Sequence, residues 1–296
     1  MIGRWNGRLP AGRIAYVNGR YLRHGAAGVH IEDRGLQLGD SVYEVCRIAD
    51  GRLLDEEEHL DRLERSLGEI EMAMPMGRAA LKRVMAEIVR RNGFSDGLLY
   101  LQVTRGAFRR DHPIPPAPKP TLILTVHALD PAAIARRHAE GVAVVTRPDE
   151  RWGRCDIKTT QLLANLLAKT AARRAGATEA WLVDDDGFVT EGASTTAWIV
   201  DAEGRLVTRE LSHAILPGVT RRVILQAAAE AQLPVVERRF TSQEAASARE
   251  AFFTSASGGA IPVVVLDGRK VGDGRPGPLT RRVMALYAQY SRERLA

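Results

Sequence analysis

A lysine stands within Arg154-Cys155-Asp156-Ile157-Lys158-Thr159, in a chain that otherwise carries its basic charge on arginine. Only five lysines occur: Lys82, Lys119, Lys158, Lys169 and Lys270. A primary amine can lose its proton and form a Schiff base, chemistry that a guanidinium does not offer. Lys82 and Lys169 fall in amphipathic helical patterns, Lys119 in a proline loop and Lys270 in a turn, so each has a sufficient structural reason. Lys158 lies on an extended segment just before a helical pattern, an element end of the kind that presents catalytic groups. A solvated surface lysine is the plainer reading of that residue taken alone.

Three other sets of residues have chemistry to offer. Glu191 closes the strand pattern Val189-Thr190-Glu191-Gly192, where glycine permits close backbone approach. A carboxylate there could hold a pyridinium nitrogen protonated; an ordinary loop glutamate reads the same way. Gly218-Val219-Thr220 opens a helix with unpaired N–H groups and a hydroxyl. Thr254-Ser255-Ala256-Ser257-Gly258-Gly259 adds hydroxyls and pliable backbone after a strand, and Arg62 adds a charge-assisted donor. Together these would suit one phosphate monoester; separately they read as a cap, a turn and a surface ion pair. Last, Tyr43 and the pair Arg110 and His112 supply a planar fork and two more donors for a substrate carboxylate. Packing for Tyr43 and loop solvation for the other two are the plainer alternatives.

The elements that must position these residues can be read from periodicity. Asn18-Gly19 between two short apolar runs predicts a hairpin. Residues 41–48 alternate as a strand, with Val42, Glu44, Cys46 and Ile48 on one face and Tyr43, Val45 and Arg47 on the other. Leu60, Leu63, Leu67, Ile70 and Met74 form a helical stripe after Asp55, a plausible N-cap, and Leu81, Val84, Met85, Ile88 and Val89 form a second ending at Gly93. Strands are expected at 98–105 and 121–127, joined by a loop with five prolines in 113–120. Leu129-Asp130-Pro131 reads as a break. Beyond it come a strand at 141–146 and a helix over 161–175 with Leu162, Leu163, Leu166 and Leu167 on its apolar face. Short strands follow, then a helix opening at Pro217-Gly218, and a closing helix at 279–294. This order predicts an α+β fold: a smaller hairpin-and-helix domain over 1–130 and a mostly β domain with covering helices over 131–296.

Composition bounds the partners. At 296 residues, 45% hydrophobic and 26% charged, the chain has ample material for buried cores. No apolar run approaches the roughly 18 residues of a membrane span, and Met1-Ile2-Gly3-Arg4-Trp5-Asn6 shows no signal-peptide pattern. Cys46 and Cys155 form neither a metal-ligand pattern nor a disulfide framework, so a cytoplasmic protein is expected. Net charge is +6, but arginines such as Arg62 and Arg65 are interleaved with carboxylates and no nucleic-acid motif occurs. A non-catalytic basic binding protein is therefore a remote alternative. No G-x-G-x-x-G follows a strand pattern, which excludes the usual dinucleotide fingerprint.

Taken in order, Glu32-Asp33-Arg34-Gly35, Gly39-Asp40, Val42-Tyr43-Glu44, Glu58-His59-Leu60-Asp61-Arg62-Leu63, Arg154-Cys155-Asp156-Ile157-Lys158, Thr190-Glu191-Gly192 and Pro217-Gly218-Val219-Thr220-Arg221 strongly resemble the fold-type IV pyridoxal-phosphate enzymes. Within that group the Arg110-x-His112 pair after Val103-Thr104-Arg105-Gly106 is similar to the mark of D-amino-acid aminotransferases. The resemblance implies a two-domain fold and pyridoxal 5′-phosphate as cofactor. It implies that Lys158 binds the cofactor covalently and then acts as general base and acid, and that Glu191 pairs with the ring nitrogen. Arg62, the backbone of Val219 and Thr220, and Ser255 with Ala256 would hold the phosphate, with Leu216 close to the cofactor. Tyr43, Arg110 and His112 would form a carboxylate trap, the last two reaching in from a partner subunit of a homodimer. The implied substrates are D-amino acids such as D-alanine and 2-oxo acids such as 2-oxoglutarate. A branched-chain L-amino-acid aminotransferase or an aminodeoxychorismate lyase of the same fold is the alternative. Ala256 stands where these D-amino-acid enzymes carry threonine, so any contact there is through backbone; Leu36, Leu38 and Thr196 also depart from the common residues.

Overall fold

The computed structural model describes residues 12–295; the opening hexapeptide read above for a signal pattern lies outside the described residues. The fold is mixed α+β and forms two compact units. The first takes the chain up to Asp130 with Ile157–Gln161 and Leu295, and the second takes Pro131–Asp156 and Leu162–Arg294. By packing, the Lys158 segment therefore belongs to the first unit, although the chain on either side of it belongs to the second.

The first unit is built on a sheet of β1 (Ile14–Val17), β2 (Arg20–Arg23), β3 (Ser41–Ala49), β4 (Arg52–Leu53), β5 (Gly97–Thr104) and β6 (Thr121–Ala128). Its order is β2-β1-β6-β5-β3-β4, antiparallel throughout. Asn18 (φ 44°) and Gly19 (φ 87°) turn β1 into β2, the left-handed pair that a two-residue hairpin needs. Along β3 the expected alternation holds: Val42, Glu44, Cys46 and Ile48 are buried, and Tyr43, Val45 and Arg47 are half-buried. Helices α2 (Glu56–Glu69) and α3 (Arg78–Asn92) lay Leu60, Leu63, Leu67, Leu81, Met85 and Ile88 into one core with Leu99, Leu101 and Val103. Each such side chain stabilises the unit by about 1.5–3 kcal/mol through burial. Gly93 (φ 66°) ends α3 as expected. Asp55 does hold the N-cap position of α2, but in left-handed conformation and without a side-chain cap bond. The stretch after Asp33 folds as a five-residue helix, α1 (Arg34–Leu38), capped by Asp33 Oδ1 accepting from Gly35 N at 2.9 Å.

The second unit is a mixed sheet of β7 (Val142–Pro148), β8 (Glu179–Val183), β9 (Val189–Gly192), β10 (Thr196–Val200), β11 (Leu206–Thr208), β12 (Val235–Glu237), β13 (Glu250–Ser255), β14 (Gly259–Leu266) and β15 (Arg269–Lys270). The order is β12-β11-β10-β13-β14-β7-β8-β9, with β15 on β14. Ala197, Ile199 and Phe253 enter one apolar cluster, whereas Trp198 and Phe252 enter another. Neighbouring residues of one strand thus serve opposite faces, which is why β10 is buried at every position. The helices are α4 (Pro131–Glu140), α5 (Leu163–Arg174), α6 (Val219–Glu230), α7 (Ser242–Ser247) and α8 (Pro278–Leu295).

Two features go beyond the sequence reading. Leu129 and Asp130 do separate β6 from α4, and the two units part there, but Pro131 also opens a helix that was not expected, α4, where its fixed φ and missing N–H cost nothing. The leucines of α5 do form one stripe, but Leu163, Leu166 and Leu167 are 70%, 60% and 58% exposed. The period reports a shared face and is silent about what covers it.

Candidate active site

The Lys158 segment is laid against β3. Tyr43 N donates to Lys158 O at 2.9 Å, Val42 and Thr159 form an antiparallel bridge, and the hydroxyls of Ser41 and Thr160 are hydrogen-bonded. Lys158 N donates to Ser66 Oγ of α2 at 3.3 Å. The backbone of the lysine is thus fixed on both sides while its side chain is not. Lys158 Nζ lies 4.2 Å from the centroid of the Tyr43 ring. Within this unit, among the described residues, no carboxylate pairs with it, whereas Lys82 is held by Glu56 and Glu57 and Lys169 by Glu179. The amine therefore faces an aromatic ring where the other two lysines face carboxylates. Tyr43 in turn stacks on Tyr100, with centroids 5.5 Å apart. Burial, and then Tyr43, pushes the Tyr100 phenol up to about 12, so it stays a neutral donor, bonded to Gln102 Oε1 at 2.9 Å. Cys155 is no rival nucleophile: burial pushes its thiol up to about 11, and its Sγ donates to Trp152 O.

Arg62 is buried on α2 and grips Glu44 with two bonds, Nε to Oε1 and Nη2 to Oε2, both 2.8 Å. His59 Nδ1 meets Glu44 Oε2 at 2.8 Å. Glu44 was missed in the sequence as a site residue. Its signal was a carboxylate at an inward position of β3, between Val42 and Cys46. Burial alone would raise this carboxyl, but the charge and hydrogen bonds of Arg62, with His59, outweigh it and hold the group well below its usual 4.5. Below pH 4.5 the unfolded chain therefore binds a proton that the native chain does not. The contribution of the pair to stability is complete above that pH and fades as pH falls. Glu44→Gln is expected to destabilise the protein by about 3 kcal/mol near neutrality. Denaturant unfolding across pH 2–7 (roughly the range of carboxylate titration) should show a flatter acid limb for this variant; an unchanged limb would count against the pair.

The Arg110-Asp111-His112 loop follows β5. Arg110 and His112 are both exposed, and among the described residues neither side chain is hydrogen-bonded to Tyr43. Gly106, at φ 94°, makes the turn into the loop against the carbonyl of Lys119, where a Cβ would clash. Behind the loop stands a network that the sequence did not disclose. Asp40 accepts from Arg34 Nε at 2.7 Å and from Arg105 Nε at 2.8 Å, and Arg105 donates to Ile70 O at 2.6 Å.

In the second unit Glu191 is buried at the end of β9. It accepts from Arg151 Nη1 and from Leu216 N, the latter at 3.2 Å. The opposite edge of Arg151 is taken by Asp149, Nε to Oδ1 at 2.8 Å and Nη2 to Oδ2 at 2.7 Å. Burial opposes ionisation of both groups, but the Arg151 bonds win and hold Asp149 below the ordinary carboxylate range. Arg151 and Asp149 were also missed: the pair to Glu191 joins residues 40 apart. Val219 and Thr220 open α6 behind Gly218, which has no side-chain cap. A Cβ at Gly218 would lie 3.0 Å from Thr196 Oγ1, and Thr196 pairs with Thr254 across β10 and β13. The start of α6 is thereby placed beside the strand end that leads to Ser255. There Ser255 Oγ meets Ser257 Oγ at 3.2 Å and accepts from Gly258 N at 3.3 Å.

Each unit by itself offers groups of a kind that pyridoxal 5′-phosphate takes. The first has an amine without an acid partner in its own unit and a buried arginine; the second has a buried carboxylate and helix amides without a side-chain cap beside a serine turn. Among the described residues no group of metal-ligating side chains occurs, and no helix is long and apolar enough to cross a membrane.

Comparison with known proteins gives a consistent picture. The amino-transferase class IV family matches residues 41–266. A D-alanine aminotransferase of Bacillus licheniformis is 40% identical over 90% of this chain and 93% of its own. A D-alanine aminotransferase of Staphylococcus haemolyticus is 35% identical over 94% and 98%. Among solved structures, the branched-chain amino acid aminotransferase of Escherichia coli superposes with a TM-score of 0.87 at 24% identity, covering 95% of each chain. A hypothetical aminotransferase of Mycobacterium tuberculosis, solved in its PLP-bound form, superposes at 0.81 and 22% identity over 94% of this chain and 98% of its own.

Proposed function

The chain belongs to the amino-transferase class IV family and is a pyridoxal 5′-phosphate-dependent aminotransferase; on that premise we propose that it takes its amino group from D-amino acids such as D-alanine and delivers it to 2-oxo acids such as 2-oxoglutarate. The observation that carries the D-specific part is the Arg110-Asp111-His112 loop, which presents an arginine and a histidine to solvent from a fixed base. Relatives named D-alanine aminotransferase, 35–40% identical over most of the chain, support the same reading.

The bound cofactor supplies a carbonyl that takes up an amino group and a ring that draws electrons from the substrate α-carbon. The side chains do the rest. Lys158 would hold the cofactor through its amine, and that amine would take the substrate α-proton and return it. Glu191 holds the ring nitrogen protonated, kept in place by Arg151 and Leu216 N. Arg62, the amides of Val219 and Thr220, Ser255 and the backbone of Ala256 hold the phosphate. Arg110, His112 and the Tyr43 hydroxyl grip the substrate carboxylate, and so decide which enantiomer turns its α-hydrogen toward Lys158.

Exposure of Arg110 and His112 on their own chain supports a homodimer in which they complete the partner subunit's site, and the exposed leucines of α5 offer apolar surface for such an assembly. Free Cys46 and Cys155 support a cytoplasmic setting. The two units are read as a small domain over 1–130 and a cofactor-binding domain over 131–296. Donor selectivity tests the function: with 2-oxoglutarate as acceptor, D-alanine should be turned over and L-leucine should not. Turnover of L-leucine alone would replace this reading with the branched-chain one, to which the Escherichia coli fold corresponds.

A further inference from the structure

We propose that Arg34 is a positioning residue for the substrate carboxylate: its buried guanidinium holds the loop that carries Arg110 and His112. Arg34 is 5% exposed and lies on α1, remote in sequence from the loop. Its three donor directions are all used. Nε meets Asp40 Oδ2 at 2.7 Å, Nη1 meets Asp111 O at 2.6 Å and Nη2 meets His112 O at 3.3 Å. A planar fork can bridge one carboxylate and two successive carbonyls; an ammonium cannot do so from one point.

The rest of the loop is held by backbone. Arg34 N donates to Gly106 O at 2.9 Å, Phe108 N donates to Glu32 O at 3.2 Å, and Asp33 and Ala107 form a bridge. Those contacts fix the entry of the loop. Among the described residues, the side chain from outside the loop that hydrogen-bonds Asp111 and His112, where the two working side chains emerge, is that of Arg34. Asp40 is itself held from the other side by Arg105, which is anchored on the carbonyls of Ile70 and Glu71 at 2.6 and 3.1 Å. The hydrogen bonds and charges of Arg105 and Arg34 overcome burial and keep Asp40 below the usual carboxylate range, so the anchor is ionised at neutral pH. A chain of fixed contacts therefore runs from Ile70 and Glu71, just past the end of α2, through Arg105, Asp40 and Arg34 to the loop. Releasing its last link moves Arg110 and His112 without touching Lys158, Glu191 or the phosphate donors.

This inference rests on the reading of Arg110 and His112 as the carboxylate trap, and the test separates the two. Holoenzymes of Arg34→Met, Arg34→Lys and Arg110→Ala are compared with the unaltered enzyme. KM for D-alanine, the ratio of kcat/KM for D- over L-alanine, and trypsin cleavage after Arg109 and Arg110 are measured. Both Arg34 variants should raise KM by about 10-fold, within the loss that a displacement of about 1 Å produces. They should narrow the enantiomer ratio and speed cleavage, while cofactor retention and its visible spectrum stay unchanged. A purely structural role would lower stability without moving the enantiomer ratio. If Arg110→Ala raises KM but Arg34→Lys leaves KM and the ratio unchanged, the positioning role falls and the trap stands. If Arg110→Ala leaves KM unchanged, the trap itself falls. Should Arg34→Met fail to fold, Arg34→Lys decides alone.

Discussion

Lys158→Ala is expected to lower turnover of D-alanine by about 10³-fold or more, within the range that positioned general acid–base catalysis supplies. The expectation follows from what the structure leaves free. The backbone of Lys158 is pinned to Tyr43 N and to Ser66 Oγ at 2.9 and 3.3 Å, so truncation removes an amine and disturbs no hydrogen bond of the fold. In its unit no carboxylate, among the described residues, gives that amine another duty. Lys158→Arg should fare little better, since a guanidinium keeps its charge but neither bonds the cofactor covalently nor yields its proton. Borohydride reduction gives an independent reading. It should fix the cofactor mass on the Lys158 peptide of the unaltered protein and leave Lys158→Ala without it. Fixation on another lysine, or turnover within threefold (roughly 0.6 kcal/mol) of the unaltered enzyme, would remove Lys158 from the mechanism.

Glu191→Gln is the second large effect, a fall in kcat of about 10²-fold with KM little changed, the scale seen when one preorganised electrostatic partner is lost. The substitution keeps the shape and an acceptor for Leu216 N, which now donates to Glu191 at 3.2 Å. Arg151 keeps its two bonds to Asp149 at 2.7 and 2.8 Å, so the surroundings of the site survive. What would disappear is the negative charge proposed to hold a proton on the ring nitrogen, and with it the pull of electrons from the substrate α-carbon. The cofactor should still be retained, because the residues proposed to hold its phosphate are unaltered. A kcat within threefold (about 0.6 kcal/mol) of the unaltered enzyme would mean that another group does this work.

Much of this was open to reading before the structure. The alternation through β3, the leucine stripes of α2 and α3 and the Asn18-Gly19 turn are local patterns, and local patterns survive without knowledge of partners. Lys158 and Glu191 stood out because their types are scarce or conspicuous where they occur. What stayed hidden depends on contacts between distant residues. Arg34 meets a carbonyl 77 residues away, and Arg105 meets Asp40 across 65. No spacing rule reaches so far. Glu44 was hidden in plain view, counted as one residue of an alternating face, when a carboxylate on that face already demanded a buried cation. Pro131 marked the break but not the helix after it, because proline both ends and begins helices and only the residues that follow decide which. The α5 leucines gave a true stripe and no account of its exposure.

On the proposed reading, Lys158 chemistry is served by a trap that selects D-amino acids. A single half-reaction tests it most directly. Purified holoenzyme is mixed with D-alanine, and separately with L-leucine, without a 2-oxo acid acceptor, and the visible absorbance of the bound cofactor is followed. D-alanine should bleach it, with one equivalent of pyruvate released per site, and L-leucine should leave it standing. Bleaching by L-leucine and none by D-alanine would contradict the account.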